Sequence, residues 1–278
     1  MAIRDILVHL DAAPAMPARL ELAAALARQH GARLTGLAVI DIALPPIATP
    51  DGGGAAVGPL LAAMRRDALA EAAGIRTRFE DAASRLGVAA EWRQTEGITA
   101  EQVARHGRTS DLLLLGQPDP EGDAPKALAV FEAALFSSGR PLLMVPHAGR
   151  FTHVGRRALI AWNGRREAAR AVHDALPLLA GAEHVVVLTA GMEPPEADAD
   201  PTAEMLRHLA RHGLPVSAAR EIGTDLEVAD IILNRAAETG ADLLVMGAYG
   251  HSRLREFVLG GATRSILRQM TLPVLMAH

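Results

Sequence analysis

The chain is written twice, and that repetition limits its architecture more than any other feature of the sequence. Ile6–Leu10, a short apolar run ending at Asp11, is matched by Ala158–Trp162, ending at Asn163. Each leads into a helical pattern, Ala18–His30 before Gly31 and Arg166–Leu179 before Gly181, and then into a second apolar run, Arg33–Ile40 and His184–Thr189. Asp111-Leu-Leu-Leu-Leu-Gly116 mirrors Asp242-Leu-Leu-Val-Met-Gly247, and the halves close alike, on Arg140-Pro-Leu-Leu-Met-Val-Pro146 and Leu272-Pro-Val-Leu-Met-Ala-His278. A tandem duplication predicts two domains, 1–150 and 151–278, joined in the polar, glycine-containing segment His147–Gly155. A length of 278 residues agrees with two domains.

The landmarks also locate a difference between the halves. Asp11 and Asn163 stand 152 residues apart but Asp111 and Asp242 only 131, so the first half carries about 21 more. The stretch Asp41–Gly58, with Pro45, Pro46, Pro50 and the run Asp51-Gly-Gly-Gly, is the expected place, read as a flexible connector.

Short continuous apolar runs alternating with helical patterns predict parallel sheet covered on both faces, an α/β class. In such sheets ligands bind beyond the carboxyl ends of the strands, where the strand order reverses. Asp11, Asn163, Gly116 and Gly247 all fall at strand ends of this kind. The terminal runs Leu142–Val145 and Val274–Ala277 would be exposed edges in isolated halves, so they are expected to pack or pair across a pseudo-two-fold axis.

Composition excludes several classes. With no cysteine, thiol catalysis, iron–sulfur clusters, Cys-based zinc sites and disulfide scaffolds are ruled out. A net charge of −4 and 3% aromatic residues argue against a nucleic-acid surface. The first ten residues interleave charges with apolar residues, unlike a signal peptide, and no apolar run of about 20 residues suggests a membrane span. A cytoplasmic protein with no membrane partner is expected.

The segment with specific chemistry runs from Val245 to Thr263. A buried strand ends at Met246, Gly247 and Gly250 follow in a loop, and Gly260 and Gly261 precede a helical run that includes Ile266–Met270. Glycines let the backbone approach a ligand closely, and a helix start offers free N–H groups and positive potential. Thr263 adds a hydroxyl. The pattern is that of a phosphate cradle at a strand end.

Gly247, Gly250 and Gly260, spaced Gly-x2-Gly-x9-Gly, resemble the ATP-binding signature of the universal stress proteins. Met246-Gly-Ala-Tyr-Gly-His-Ser252 and the closing Leu-Pro-Val-Leu-Met are similar to the family's style, and the resemblance covers the whole chain in its tandem form. It implies two Rossmann-like α/β domains, each a parallel five-stranded sheet with helices on both faces, packed together as a pseudo-dimer. A further homodimer is left open. It implies ATP at these loops, with Mg or Mn carried by the phosphates and no metal ligand or catalytic residue assigned in the protein. It also implies a nucleotide-dependent sensor or adaptor in stress response, with a protein partner it does not name. Asn163 would meet ribose or adenine, and Thr189 and Ala190 would lie at the adenine pocket. Met246 and Gly247 would line base and ribose, and Gly250, His251 and Ser252 would open the phosphate loop that Gly260, Gly261, Ala262 and Thr263 close. The family's Ser or Thr after the last signature glycine is replaced here by Gly261.

The first half keeps Asp11 and Gly116 but has Gly116-Gln-Pro-Asp119 in place of Gly247-Ala-Tyr-Gly250, with Glu121 and Asp123 following. Counting from Pro141 against Pro273, Leu128, Ala129 and Phe131 stand where Gly260, Gly261 and Thr263 would. One nucleotide per chain, in the second half, is therefore expected. His208 and His212 share a helix face without a third metal ligand, Asp51-Gly-Gly-Gly lacks the Lys-Ser/Thr of a Walker loop, and neither Gly-x-Ser-x-Gly nor Gly-x-Gly-x-x-Gly occurs. A nucleotide-free interaction protein and a slow ATPase or hydrolase using Asp11 or His251 are the alternatives to the sensor reading.

Overall fold

The computed structural model describes residues 2–42, 54–119, 122, 124–191, 201–222, 228–250 and 261–278. In the first half β1 (Asp5–Leu10), α1 (Met16–His30), β2 (Arg33–Ile40), α2 (Gly54–Leu86), β3 (Ala90–Glu96), α3 (Thr99–Gly107), β4 (Leu112–Gly116), α4 (Ala124–Ser137) and β5 (Leu142–Val145) alternate strictly. The second half repeats the order with β6 (Arg157–Ala161), α5 (Arg166–Leu179), β7 (His184–Ala190), α6 (Pro201–Arg211), β8 (Val216–Glu221), α7 (Val228–Thr239), β9 (Leu243–Gly247), α8 (Gly261–Gln269) and β10 (Val274–Ala277). α1 starts with a proline in its first turn and stops at Gly31, whose φ of 59° lets its N–H close the helix on Ala27 and Arg28 carbonyls.

One ten-stranded sheet results, ordered β3-β2-β1-β4-β5-β10-β9-β6-β7-β8. Each half contributes five parallel strands, with its order reversing between β1 and β4 or between β6 and β9. The expected pairing of terminal strands is present. β5 and β10 run antiparallel, with Leu143 opposite Leu275, and join the two parallel sheets. Alternate residues of these strands feed opposite faces: Leu143, Val145 and Leu275 join one apolar layer, and Leu142, Met144 and Met276 the other. Both layers therefore run without interruption through the junction.

The repeated aspartates have a shared structural task. Asp111 Oδ2 accepts the Arg4 and Asp5 N–H groups at 2.7 and 3.0 Å, tying the start of β1 to β4. Asp242 does the same for β6, accepting Gly155 N–H at 2.6 Å and Arg156 N–H at 3.2 Å. Backbone donors at these starts would otherwise lack partners.

Of the expected connector Asp41–Gly58, residues 43–53 lie outside the described residues, and 54–58 are helix rather than connector. Helix α2 has 33 residues against 11 in α6, and the run beginning at Asp51 is already helical from Gly54. The insertion lengthens a helix whose Ile75, Phe79 and Ala82 pack into the core beside α1.

Candidate functional site

At the carboxyl end of the second half's strands, Asn163 follows β6 and turns the chain into α5, its Oδ1 accepting Arg165 N–H at 3.1 Å. Asp11 makes the same turn after β1, accepting Ala13 N–H at 3.1 Å. A short polar side chain that bonds its own backbone two residues on suits this corner. Thr189 and Ala190 end β7; Thr189 is buried and its hydroxyl meets that of Thr202 at 3.0 Å. Met246 is buried at the end of β9.

Gly247 is required by close packing: a Cβ there would stand 2.5 Å from the Ala168 nitrogen in α5. Three side chains converge on Gly250. A Cβ there would lie 3.6 Å from Asn163 Nδ2, Arg165 Cδ and Glu167 Oε2, and Arg165 Nη1 donates to the Gly250 carbonyl at 2.5 Å. Thr263, buried in α8, accepts Tyr249 N–H on its hydroxyl at 3.4 Å, so the strand-end loop and the helix meet. Gly261 is exposed and Ala262 half-buried beside it. His251, Ser252 and Gly260, with Arg253 and Arg255, lie outside the described residues.

Glu167 and Arg165 were not legible as site residues. Glu167 is buried in the first turn of α5. Burial opposes its charge, but the bond from Arg166 Nε at 2.7 Å prevails and holds the carboxyl below its usual pKa. The available signal was their spacing, two and four residues after Asn163 at a helix start.

The first half reaches into this site. Tyr249 has φ 59°, the one positive φ outside glycine among the described residues. Its hydroxyl donates to Glu132 Oε1 of α4 at 3.1 Å, and its ring stands 5.0 Å from that of Phe136. Burial first, then the Glu132 charge, raises the Tyr249 pKa and keeps the phenol protonated. Buried Gln117 donates through Nε2 to the Leu267 carbonyl of α8 at 3.0 Å and accepts His147 N–H at 3.0 Å.

At the equivalent crevice of the first half there is a cavity of about 470 Å³. Here α1 does not touch the glycine through its backbone. The buried Arg19 side chain intervenes, with Nη1 only 2.0 Å from where a Gly116 Cβ would be, and donates from Nη2 to Asp11 Oδ1 at 2.7 Å. Burial works against the Asp11 charge, but Arg19 and His9 outweigh it and lower the Asp11 pKa. Across the cavity Asp41 Oδ2 accepts the Thr99 N–H and hydroxyl at 3.1 and 2.7 Å and pairs with Lys126 Nζ at 3.1 Å.

His9, beside Asp11, is buried, and burial lowers its pKa to about 4 against the attraction of Asp11, with Arg19 and Lys126 adding to the fall. The folded state thus keeps this imidazole neutral where the unfolded chain protonates it. The associated stability is complete above pH 6.5 and is lost as pH falls toward 4, by about 3 kcal/mol in all. Urea melts of a His9→Gln variant should show a flatter profile between pH 6.5 and 4 than the parent. An unchanged slope would mean that other groups set it.

Residues 155–278 match the model of the Universal stress protein family. A universal stress protein of Synechocystis is 28% identical over 178 residues, 59% of this chain and 57% of that protein, so the match spans little more than half of the relative. Among solved structures, a universal stress protein from Archaeoglobus fulgidus superposes with a TM-score of 0.74 at 18% identity, covering 98% of this chain and 95% of that one. A protein of unknown function from Pseudomonas aeruginosa gives 0.60 at 17% identity, covering 99% and 92%. At such identities the likeness is one of fold. No helix among the described residues is long and apolar enough to cross a membrane.

Proposed function

Starting from a chain that belongs to the universal stress protein family, its C-terminal half matching the family model, we propose that this half binds ATP at the carboxyl ends of β6, β7 and β9. On this reading the chain is a cytoplasmic, nucleotide-dependent sensor or adaptor of two domains, 1–150 and 151–278, and not a fast enzyme. The observation that carries the reading is the meeting of Asn163, Arg165, Gly250 and Thr263, which brings the strand-end loop against α8.

Asn163 would bond ribose, with Thr189, Ala190, Met246 and Gly247 around the base. Gly250 to Ser252 and Gly260 to Thr263 would enclose the phosphates with backbone N–H groups and the Thr263 hydroxyl. Among the described residues no group of three or more His, Cys, Asp or Glu could hold a metal ion. A divalent cation would come with the phosphates, where it neutralises charge.

Glu167 supports a second reading, an interaction protein without nucleotide, because it sets a buried carboxylate beside the loop. Calorimetric titration with Mg-ATP separates the two. One ATP per chain is the expected result, and a stoichiometry near two would overturn the single-site assignment. No heat up to about 1 mM ATP would favour the interaction protein. Phosphate release that disappears in a loop variant would make the chain a slow ATPase.

A further inference from the structure

The first-half cavity does not share the chemistry of the proposed nucleotide site. Among the described residues, four carboxylates line it, Asp11, Asp41, Glu71 and Asp119, against two cations, Arg19 and Lys126. Both cations are already engaged: Arg19 Nη2 lies 2.7 Å from Asp11 Oδ1, and Lys126 Nζ lies 3.1 Å from Asp41 Oδ2. His9 contributes no charge at neutral pH. A triphosphate entering here would meet an excess of negative charge. It would also find fewer backbone donors, since Pro118 has no N–H where the second half has Tyr249.

The same lining offers acceptors. Asp11 Oδ2 has His9 Nδ1 at 3.7 Å, too far for a hydrogen bond. Asp41 takes its three donors on Oδ2, and among the described residues none reaches Oδ1. Arg19 is 2% exposed, lines the cavity, and its Nε has no hydrogen-bond partner. A buried guanidinium N–H without an acceptor is costly. Around these groups Ile40, Ile75, Leu115 and Val130 supply apolar wall.

We propose that this cavity is a second ligand site, separate from the nucleotide site, and that it takes a small organic amine carrying an apolar body and a carbonyl or hydroxyl oxygen. The ammonium sits between the free oxygens of Asp11 and Asp41, the oxygen faces the Arg19 end, and the apolar body lies against Ile40, Ile75 and Leu115. A volume of about 470 Å³ is within the range of small-molecule sites. The site owes nothing to the glycine loop of the second half, so it stands or falls apart from the ATP reading.

The test holds shape constant and changes charge. The full-length protein is titrated calorimetrically with tryptophanamide, N-acetyltryptophanamide and N-acetyltryptophan, which carry the same ring and a carbonyl with charges of about +1, 0 and −1 at pH 6, below the α-amino range of about 7.7–8.0 and above the carboxyl range. The cation should bind ten- to a hundredfold more tightly than the neutral amide, the expectation for one charge-assisted bond to a carboxylate, and the anion most weakly. Asp41→Asn should bring the cation and the neutral amide to within about threefold of each other. A thermal melt reports whether that variant folds, and if it does not, the charge series on the parent protein still decides. Equal binding of all three probes, tightest binding of the anion, or no binding of the cation up to about 10 mM would each overturn the proposal.

Discussion

Gly261→Asp is expected to leave the fold intact and to weaken ATP binding at least about a hundredfold. Among the described residues a Cβ at Gly261 meets nothing within 4 Å, and the residue is exposed, so the side chain has room there. An acidic residue in the first turn of α8 also favours the helix, because it faces unpaired N–H groups. Those N–H groups are the ones assigned to the phosphates. Two like charges 4 Å apart repel by about 4 kcal/mol at an effective dielectric near 20, and exposure to solvent reduces this to the stated hundredfold. Gly261→Ser should act in the opposite sense, adding a hydroxyl donor and tightening binding several-fold. Circular dichroism melts and calorimetry on both variants check the pair. An Asp variant that melts and binds like the parent would place the phosphates elsewhere.

Gly155→Ala should cost about 3–5 kcal/mol of stability. Gly155 has φ 85°, a region that side chains avoid, and a Cβ there would lie 2.2 Å from the Leu178 carbonyl oxygen. That oxygen belongs to the backbone of α5, so no side chain can swing aside. Either the last turn of the helix moves, with buried Leu178 and Leu179, or the chain leaves Asp242, which holds Gly155 N–H at 2.6 Å. Strained backbone and overpacking each contribute about 1–3 kcal/mol. Urea unfolding would reveal the loss as a lower midpoint, and a change below about 1 kcal/mol would show that the junction yields easily.

Much of the fold was readable because apolar periodicity and chain punctuation agree along most of it. Arg166–Leu179, Arg33–Ile40, Leu142–Val145 and Val274–Ala277 occupy the elements expected of them. The pairing of the last two strands followed from the cost of an uncovered apolar edge. The early start of α2 has a local cause. Three glycines after Asp51 read as a connector, yet α2 propagates from Gly54 because its later turns bury Ile75 and Phe79 against the sheet. Tertiary override of this kind is the usual failure of propensity arguments.

The site was legible where its chemistry lies in the backbone, and less so where it depends on distant partners. Gly247 and Gly250 could be named from spacing, and Asn163 from the strand end it closes; its turn bond to Arg165 N–H could not. Arg19 could not: in sequence it is one more arginine on an amphipathic helix, and only Gly116 in the neighbouring strand leaves room for it to lie buried. Nor could the bond from Tyr249 to Glu132, which spans 117 positions. The asymmetry between an acidic first-half crevice and a glycine-rich second-half loop was visible in outline from Pro118 and Asp119.

The antiparallel seam between β5 and β10 has an evolutionary consequence. In a dimer of identical subunits related by a two-fold axis, every substitution at the interface appears twice, and a residue that helps one copy must be tolerated by the other. Fusing the two copies into one polypeptide removes that restriction. Tyr249 can bond Glu132 while its counterpart position holds Pro118, and Gln117 can reach Leu267 while its counterpart is the apolar Ala248. The cost is that the halves no longer accept exchange: a second half lifted into a symmetric pair would lose Glu132 and Gln117 together. Selection on this chain can therefore specialise either crevice, but it must retain the seam as a matched and non-interchangeable set.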